Sequence, residues 1–155
     1  MAGMKSITDL RQRVVELRNG LQNGSIMQHI IGNNEDVICR MNADQQLYEQ
    51  GVNAYAVPIM DYKPYTPTTI FLKEQKHQPT DRVTLRDTGA FHRSFYVDAN
   101  DKEFVIRATD EKTPSLVRKY GREIMGLTPE NKTDLTWRYI FPELRQTTHE
   151  IIYGN

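Results

Sequence analysis

One short stretch of this sequence has the residue types needed for acid–base chemistry. Asp87-Thr88-Gly89-Ala90 places an aspartate in a turn next to an apolar segment. If two copies of the chain brought this aspartate into one buried site, the two carboxyl groups could not both ionise, so one would keep its proton. A pair in that state can serve in acid–base catalysis. The stretch therefore raises one catalytic hypothesis, and that hypothesis requires a dimer.

The same four residues occur in aspartic proteases of the retroviral type, so a dimeric protease is the alternative to be weighed. Three features argue against it. Arg86 stands where an apolar strand residue is needed, and Phe91-His92-Arg93 favours a helical turn over a continuing β loop. No apolar-apolar-Gly strand follows, because Lys119-Tyr120-Gly121-Arg122 has the pattern of a helix end. We predict that Asp87 is structural.

No other catalytic, metal or cofactor site is indicated. The four histidines, at positions 29, 77, 92 and 149, are scattered and lack carboxylates at ligand spacing. Neither a GxGxxG motif nor a P-loop is present, and Cys39 is the single cysteine. The sequence therefore predicts a protein that is not an enzyme and has no cofactor.

The composition predicts one domain over residues 1–155. Its 20 basic and 20 acidic residues cancel, so no global field attracts nucleic acid or an anionic membrane. No apolar segment approaches the length of a membrane span, and the N-terminus has no apolar leader. The apolar content of 38% is low for a compact monomer, which suggests that burial is completed against partners.

The pattern of the chain predicts an α+β fold. An N-terminal helix is expected from about residue 6 to about residue 20, because Ser6 and Asp9 resemble a capping box and apolar residues recur at helical spacing at Leu10, Val14, Leu17 and Leu21. A second helix is expected at about 35–50, ending at Gly51, with a buried face of Val37, Ile38, Met41 and Tyr48. A small antiparallel sheet is expected as a hairpin at about 94–108, with the turn supplied by Asn100-Asp101. Threonine N-caps followed by proline, at Thr113 and Thr128, should begin a short helix and a C-terminal helix at about 129–152, which Pro142 should kink.

Residues 52–82 differ from the rest, because prolines and tyrosines alternate there. Pro58, Pro64 and Pro67 predict an extended segment, and the tyrosines between them supply amphipathic contact area. Two interpretations are open. The segment is either an ordered surface loop or an arm that docks on a neighbouring copy.

Residues 83–127 carry a pattern that resembles a known family. The order is Leu85-x-Asp87-Thr88-Gly89-x-Phe91-x-x-Ser94-Phe95, then the hairpin, then Tyr120-Gly121 and Gly126-Leu127. This order resembles the tail-completion or head–tail joining family of tailed bacteriophages, which are neck proteins of the virion. It is also similar to virion proteins of phages that infect gut bacteria, including crAss-like phages.

The resemblance implies an α+β protein without catalytic residues that forms a ring at the phage neck. The implied partners are further copies of the chain, for example six or twelve, and other neck, tail or portal-associated proteins. Phage DNA would pass through the ring without being recognised by sequence, and no membrane is involved. The implied location is the virion, with assembly in the host cytoplasm. A cytosolic protein-interaction module is the third hypothesis.

The resemblance also implies roles for individual residues. A structural helix-to-strand corner would be formed by Leu85, Asp87, Thr88, Gly89, Phe91 and Ser94. A turn near the subunit contact and the segment after it would include Tyr120, Gly121, Gly126 and Leu127. The candidate subunit interface consists of Tyr55, Tyr62, Tyr65 and Tyr120.

Overall fold

A computed structural model describes residues 6–154 and shows the predicted α+β architecture, mostly helical with one two-stranded antiparallel sheet. The described residues form two compact units. Unit 1 comprises residues 6–35, 99–104 and 134–154, and unit 2 comprises residues 36–98 and 105–133. That residues 1–155 fold as a single domain stays a prediction. Among the described residues, no helix is both long and apolar enough to cross a membrane.

Unit 1 is built mainly from three helices: α1 (Ile7–Gln22), α2 (Ser25–Asn33) and α9 (Phe141–Tyr153). The predicted N-cap of α1 is confirmed, because the Ser6 hydroxyl accepts a hydrogen bond from the Asp9 amide at 3.1 Å. The hairpin tip, residues 99–104, also belongs to this unit, and Gln28 donates to the Ala99 carbonyl at 2.9 Å.

The core of unit 1 is thin. Ile30, Ile31, Leu135 and Ile140 are buried, but neither α1 nor α9 contains a buried residue. Helices in a globular protein obtain most of their stability from burying an apolar face. Among residues 6–154, the two longest α-helices of the unit therefore bury their apolar residues only in part, as Leu17 of α1 and Ile151 of α9 do.

Unit 2 is organised around one long helix, as predicted for residues 35–50. It begins as α3 (Glu35–Arg40), continues with π-helical hydrogen bonding over Met41–Gln50 and ends at Gly51. Ile38, Met41 and Leu47 are buried on its inner face. The predicted inner positions Val37 and Tyr48 are only half-buried.

The expected extended arm over residues 52–82 is wrong in its middle. Two short helices lie there, α4 (Ile59–Tyr62) and α5 (Pro67–Gln75). The prolines begin these helices, since Pro58 is the N-cap residue of α4 and Pro67 is the first residue of α5, where a missing amide proton costs nothing. Ile59 is fully buried, so the segment contributes to the core of unit 2.

The predicted hairpin is confirmed. The one-turn helix α6 (Ala90–Arg93) leads into β1 (Phe95–Ala99), which pairs with β2 (Phe104–Ala108). The Asn100 side chain forms the turn by accepting hydrogen bonds from the amides of Lys102 and Glu103 at 2.8 and 3.0 Å.

The helix after the hairpin, α7 (Thr113–Tyr120), begins differently from the prediction. Its N-cap is Lys112 instead of Thr113. The Asp110 carboxylate accepts from the Lys112 amide at 2.8 Å, and the Thr113 amide donates to the Asp110 carbonyl at 3.0 Å. The turn therefore starts earlier than the Thr-Pro pair suggests, and Thr113 lies inside the first helical turn.

The kinked C-terminal helix is confirmed. Thr128 caps α8 (Pro129–Leu135) by accepting from the Asn131 amide at 3.2 Å. The helix then changes to π-helical hydrogen bonding over Thr136–Ile140 and continues as α9. The change lies directly before Pro142, which cannot donate a backbone hydrogen bond and whose ring would clash with the carbonyl one turn earlier.

Candidate functional site

The motif residues of unit 2 form a compact corner where helix α6 turns into strand β1. Gly89 precedes the helix with a φ of 84°, a conformation that favours glycine. Phe91 is buried and meets Phe95 edge to face, with ring centroids 4.9 Å apart. Ser94 donates to the Phe91 carbonyl at 2.8 Å. These contacts fix the direction in which the chain leaves α6.

Asp87, the candidate catalytic residue, is held in an exposed ion pair. Its carboxylate lies 2.6 Å from the Lys76 ammonium, and its side chain is half exposed. The hydrogen bond from Lys76 lowers the pKa of the carboxyl group below its usual value. A protease dyad needs the opposite, a buried carboxyl that keeps a proton. The backbone carbonyl of Asp87 also accepts a hydrogen bond from the Gln78 side chain at 2.8 Å. This geometry supports a structural role for Asp87.

A buried histidine anchors the irregular segment before the corner, in which Leu85 has a positive φ of 54°. His92 is buried, and its Nε2 lies 2.9 Å from the Thr84 carbonyl, so that nitrogen carries the proton and donates. The amide of Thr84 donates to the Tyr65 hydroxyl at 3.0 Å. His92 Nδ1 is buried without a hydrogen-bond partner. Burial lowers the pKa of His92 to about 4, so the ring is neutral at physiological pH.

A pocket of about 410 Å³ lies beside this corner. Its walls include Tyr65, Lys73, Phe91 and Tyr120. One of its charged lining groups, the buried Lys73 ammonium, already donates hydrogen bonds within unit 2, to the Arg86 carbonyl at 2.9 Å and to Gln78 Oε1 at 3.2 Å. Lys73 therefore has a structural role, because its hydrogen bond to the Arg86 carbonyl holds the backbone just before the corner.

The four candidate interface tyrosines lie in different environments. Tyr55 is exposed and Tyr62 is partly exposed, so both offer surface to a partner. Tyr65 is half-buried and bonded to Thr84. Tyr120 is buried in the core of unit 2, and its carbonyl accepts from the Tyr62 hydroxyl at 2.9 Å. Of the four predicted interface tyrosines, Tyr55 and Tyr62 are therefore the two whose side chains are exposed enough to contact a partner.

Replacing Tyr62 with phenylalanine is expected to lower the free energy of unfolding by about 1 kcal/mol, because the Tyr120 carbonyl loses its donor. Tyr55→Phe, in the same segment but exposed, should change it by less than about 0.5 kcal/mol. Urea unfolding measures both. Equal values for the two variants would contradict the anchoring of this segment to unit 2.

Gly121, the second motif glycine, has a φ of 90° and a ψ of 159°, a combination that only glycine adopts readily. Gly89 and Gly121 thus both have a positive φ. Gly121→Ala is expected to cost about 1–3 kcal/mol of stability. Gly32→Ala is the matched control, since Gly32 lies in α2 with open space around its Cα, and it should stabilise the protein by about 0.5–1 kcal/mol. Thermal melting compares them, and a neutral Gly121→Ala would refute the backbone argument.

A buried amide network that the sequence analysis missed holds the remaining motif residues, Gly126 and Leu127. Asn42 donates to the Ile124 carbonyl at 3.0 Å and accepts from the Gly126 amide at 2.9 Å. Gln46 donates to the Gly126 carbonyl at 2.7 Å and accepts from the Thr128 amide at 2.8 Å. The sequence contained a sign of this network, since Asn42 and Gln46 are four residues apart and therefore lie on the same, apolar face of the predicted second helix.

The clearest exposed surface of unit 1 runs along α9 and the turn before it. Every fourth residue is exposed, in the row Trp137, Phe141, Arg145, His149 and Tyr153; we call this row the aromatic ridge. Trp137, Phe141 and Tyr153 are 62%, 50% and 53% exposed. The rings are paired along the row, with centroids 5.4 Å apart for Trp137–Phe141 and 4.9 Å apart for His149–Tyr153. Trp, Tyr, Phe and Arg are the residues enriched at protein interfaces.

A polar clamp orients α9 against α2 in unit 1. The two Glu143 carboxylate oxygens accept hydrogen bonds from the amides of Asn33 and Asn34, at 2.5 and 2.7 Å. Hydrogen bonds to a carboxylate are stronger than those between neutral groups. The clamp fixes which side of α9 faces α2, and the aromatic ridge lies on a different side.

A second exposed surface of unit 1 lies on α1. Ile7, Val14 and Leu21 recur every seven residues and are 88%, 47% and 44% exposed, and we call them the α1 stripe. The predicted apolar positions Leu10 and Leu17 are half-buried. The apolar face of α1 is thus only partly covered within the chain.

Comparison of the chain with protein-family models, with curated proteins and with solved structures gave no match. Within residues 6–154, no group of three or more His, Cys, Asp or Glu side chains is placed to hold a metal ion. The exposed surfaces of unit 1 and the motif of residues 83–127 are therefore the features of this chain that bear on function.

Proposed function

We propose that this protein is a structural component of a tailed-phage neck, in which copies of the chain form a ring that joins or completes the tail. Its role is to assemble with other copies and with neighbouring neck, tail or portal-associated proteins. Catalysis has no part in this proposal. The resemblance of residues 83–127 supplies the biological context, and the surfaces of unit 1 supply the physical support.

The observation that carries the proposal is the half-covered apolar face of α1. A helix whose apolar residues face solvent gains stability when a partner covers them, at roughly 25 cal/mol for each Å² removed from water. Ile7, Val14 and Leu21 alternate with the half-buried Leu10 and Leu17 at the two apolar positions of a heptad, and this pattern suits packing against a second helix. A ring contact is heterologous, so the α1 stripe would meet a different surface on the next copy.

Asp87 gives the protease alternative no comparable support. Its ion pair with Lys76, which lowers the pKa of the carboxyl group, favours the charged carboxylate. A general acid–base pair requires one proton shared between two aspartates. Instead, the motif residues Gly89, Phe91 and Ser94 form the corner that directs the chain from α6 into β1.

Electron microscopy of the purified chain at high concentration tests the proposal, and we expect closed rings of uniform diameter. Native mass spectrometry then gives the number of copies, for which six and twelve are the expectation. The variant Leu21→Ser should abolish rings while leaving the melting temperature of the dilute monomer nearly unchanged, because Leu21 is 44% exposed in the monomer. Leu72→Ser on α5, with 54% exposure, is the matched control and should assemble normally. A chain that stays monomeric at all concentrations would overturn the proposal.

A further inference from the structure

The aromatic ridge is a candidate contact in its own right, because it is exposed, ordered along one helix and composed of interface residues. Its three large rings expose on the order of 300 Å² per copy, given 150–250 Å² for a whole aromatic side chain. One side of a standard protein–protein interface buries about 800 Å². The ridge therefore supplies a little under half of one side of a stable interface, which suits a weak, reversible contact.

The order of residues along the ridge makes it complementary to itself. Trp137 and Phe141 form an aromatic half, and the other half contains Arg145, whose guanidinium group is positively charged, followed by His149. The faces of aromatic rings attract cations, and arginine is the side chain most often found over them. An antiparallel second copy therefore brings the cationic half of each ridge onto the aromatic half of the other.

We propose that two copies of this chain bind each other through their aromatic ridges, in an antiparallel contact with two-fold symmetry. The two-fold axis passes between Phe141 and Arg145, so each Arg145 lies over the partner's Phe141 and each His149 meets the partner's Trp137. An axis through Arg145 itself would oppose two guanidinium groups and is unfavourable. The Glu143 clamp keeps α9 oriented for this contact.

This contact goes beyond the proposed ring, because a two-fold contact pairs two copies and cannot by itself close a larger ring. The same surface of both copies is used, so the pair is complete once formed. Rings would need a second, heterologous surface such as the α1 stripe. The two proposals can therefore fail separately.

The sequence provides a direct probe, since Trp137 is the single tryptophan and lies on the ridge. We expect its fluorescence emission to shift to the blue, and its quenching by acrylamide to fall, as the protein concentration rises. The midpoint of this change should coincide with the monomer–dimer transition in sedimentation velocity. A dimer in which Trp137 stays fully open to the quencher would overturn the ridge contact.

Substitutions test the residues and the register. Arg145→Ala and Phe141→Ala should each weaken dimerisation, roughly tenfold or more, with an unchanged melting temperature of the dilute monomer. Because both variants remove the same two symmetry-related cation–π contacts, their combined effect should be smaller than the sum of the single effects. Phe71→Ser on α5, with 58% exposure, is the control and should leave dimerisation unchanged. Strictly additive effects of the two substitutions would overturn the proposed register. Normal dimerisation of both variants would overturn the ridge contact and leave the ring proposal intact.

Discussion

Replacing Gln46 with leucine is expected to lower the free energy of unfolding by about 3–5 kcal/mol. The Gln46 side chain is fully buried and bonds the Gly126 carbonyl, the Thr128 amide and the Asn131 side chain, at 2.7–2.8 Å. Leucine fills a similar volume but leaves these groups without Gln46 as a partner in a dry interior. Each unsatisfied buried group costs about 1–3 kcal/mol.

Gln45→Leu is the matched control, because Gln45 is the neighbouring residue and is exposed. Its effect should stay within about 0.5 kcal/mol. Gln46→Glu separates hydrogen bonding from packing, since it keeps the shape but removes the donor to Gly126 and buries a charge, so it too should be strongly destabilising. Urea denaturation gives all three values. A loss below 1 kcal/mol for Gln46→Leu would show that the amide network does not hold residues 124–128.

Acidification from pH 6.5 to pH 4 is expected to remove about 3 kcal/mol of stability through His92 alone. Burial lowers the pKa of His92 from 6.5 to about 4, with smaller opposing contributions from the Thr84 carbonyl and Asp44. Between these values the unfolded chain binds a proton that the folded chain excludes. Stability is therefore complete above pH 6.5 and falls as the pH falls towards 4.

The measurement compares the pH dependence of unfolding in the wild type and in His92→Gln, whose amide can still donate to the Thr84 carbonyl. The wild type should lose more stability over this range, and the difference between the two curves isolates His92 from the carboxylates. His149→Gln is the control, because His149 is exposed on the ridge. Parallel curves for wild type and His92→Gln would contradict a buried, neutral histidine.

Local chemistry explains which elements could be predicted from the sequence. The α1 cap at Ser6, the stop at Gly51 and the Asn100 turn each depend on neighbouring residues alone, and each prediction was confirmed. Pro142 was correctly interpreted as a kink for the same reason.

Prolines 58 and 67 were misinterpreted because a proline breaks a helix from inside but favours its first turn. Whether a proline breaks a helix or begins one depends on where the helix starts. For α4 that position depends on the burial of Ile59 in unit 2. The burial of Tyr120 is equally non-local. Sequence spacing placed it near a turn but could not show that the core of unit 2 encloses its ring.

The surfaces that carry the functional argument were the least predictable part. Val14 and Leu21 of the α1 stripe are apolar positions of the predicted helical period, and only tertiary structure shows that they remain exposed. The aromatic ridge was hidden because Pro142 and the π-helical turn interrupt the helical period between Trp137 and Tyr153. The amide pair Asn42 and Gln46 stood in the predicted helix, but its partners lie about 80 residues away in sequence.

The central claim is that unit 1 completes its core against other copies of the chain. Amide hydrogen exchange, followed by mass spectrometry in dilute and in concentrated solution, tests it most directly. In the dilute protein, α1 and α9 should exchange quickly, because neither contains a buried residue, whereas the helix over residues 35–50 should be protected. On assembly, protection should rise in α1 and α9 and stay unchanged in unit 2. Exchange in α1 and α9 that does not depend on concentration would contradict the account.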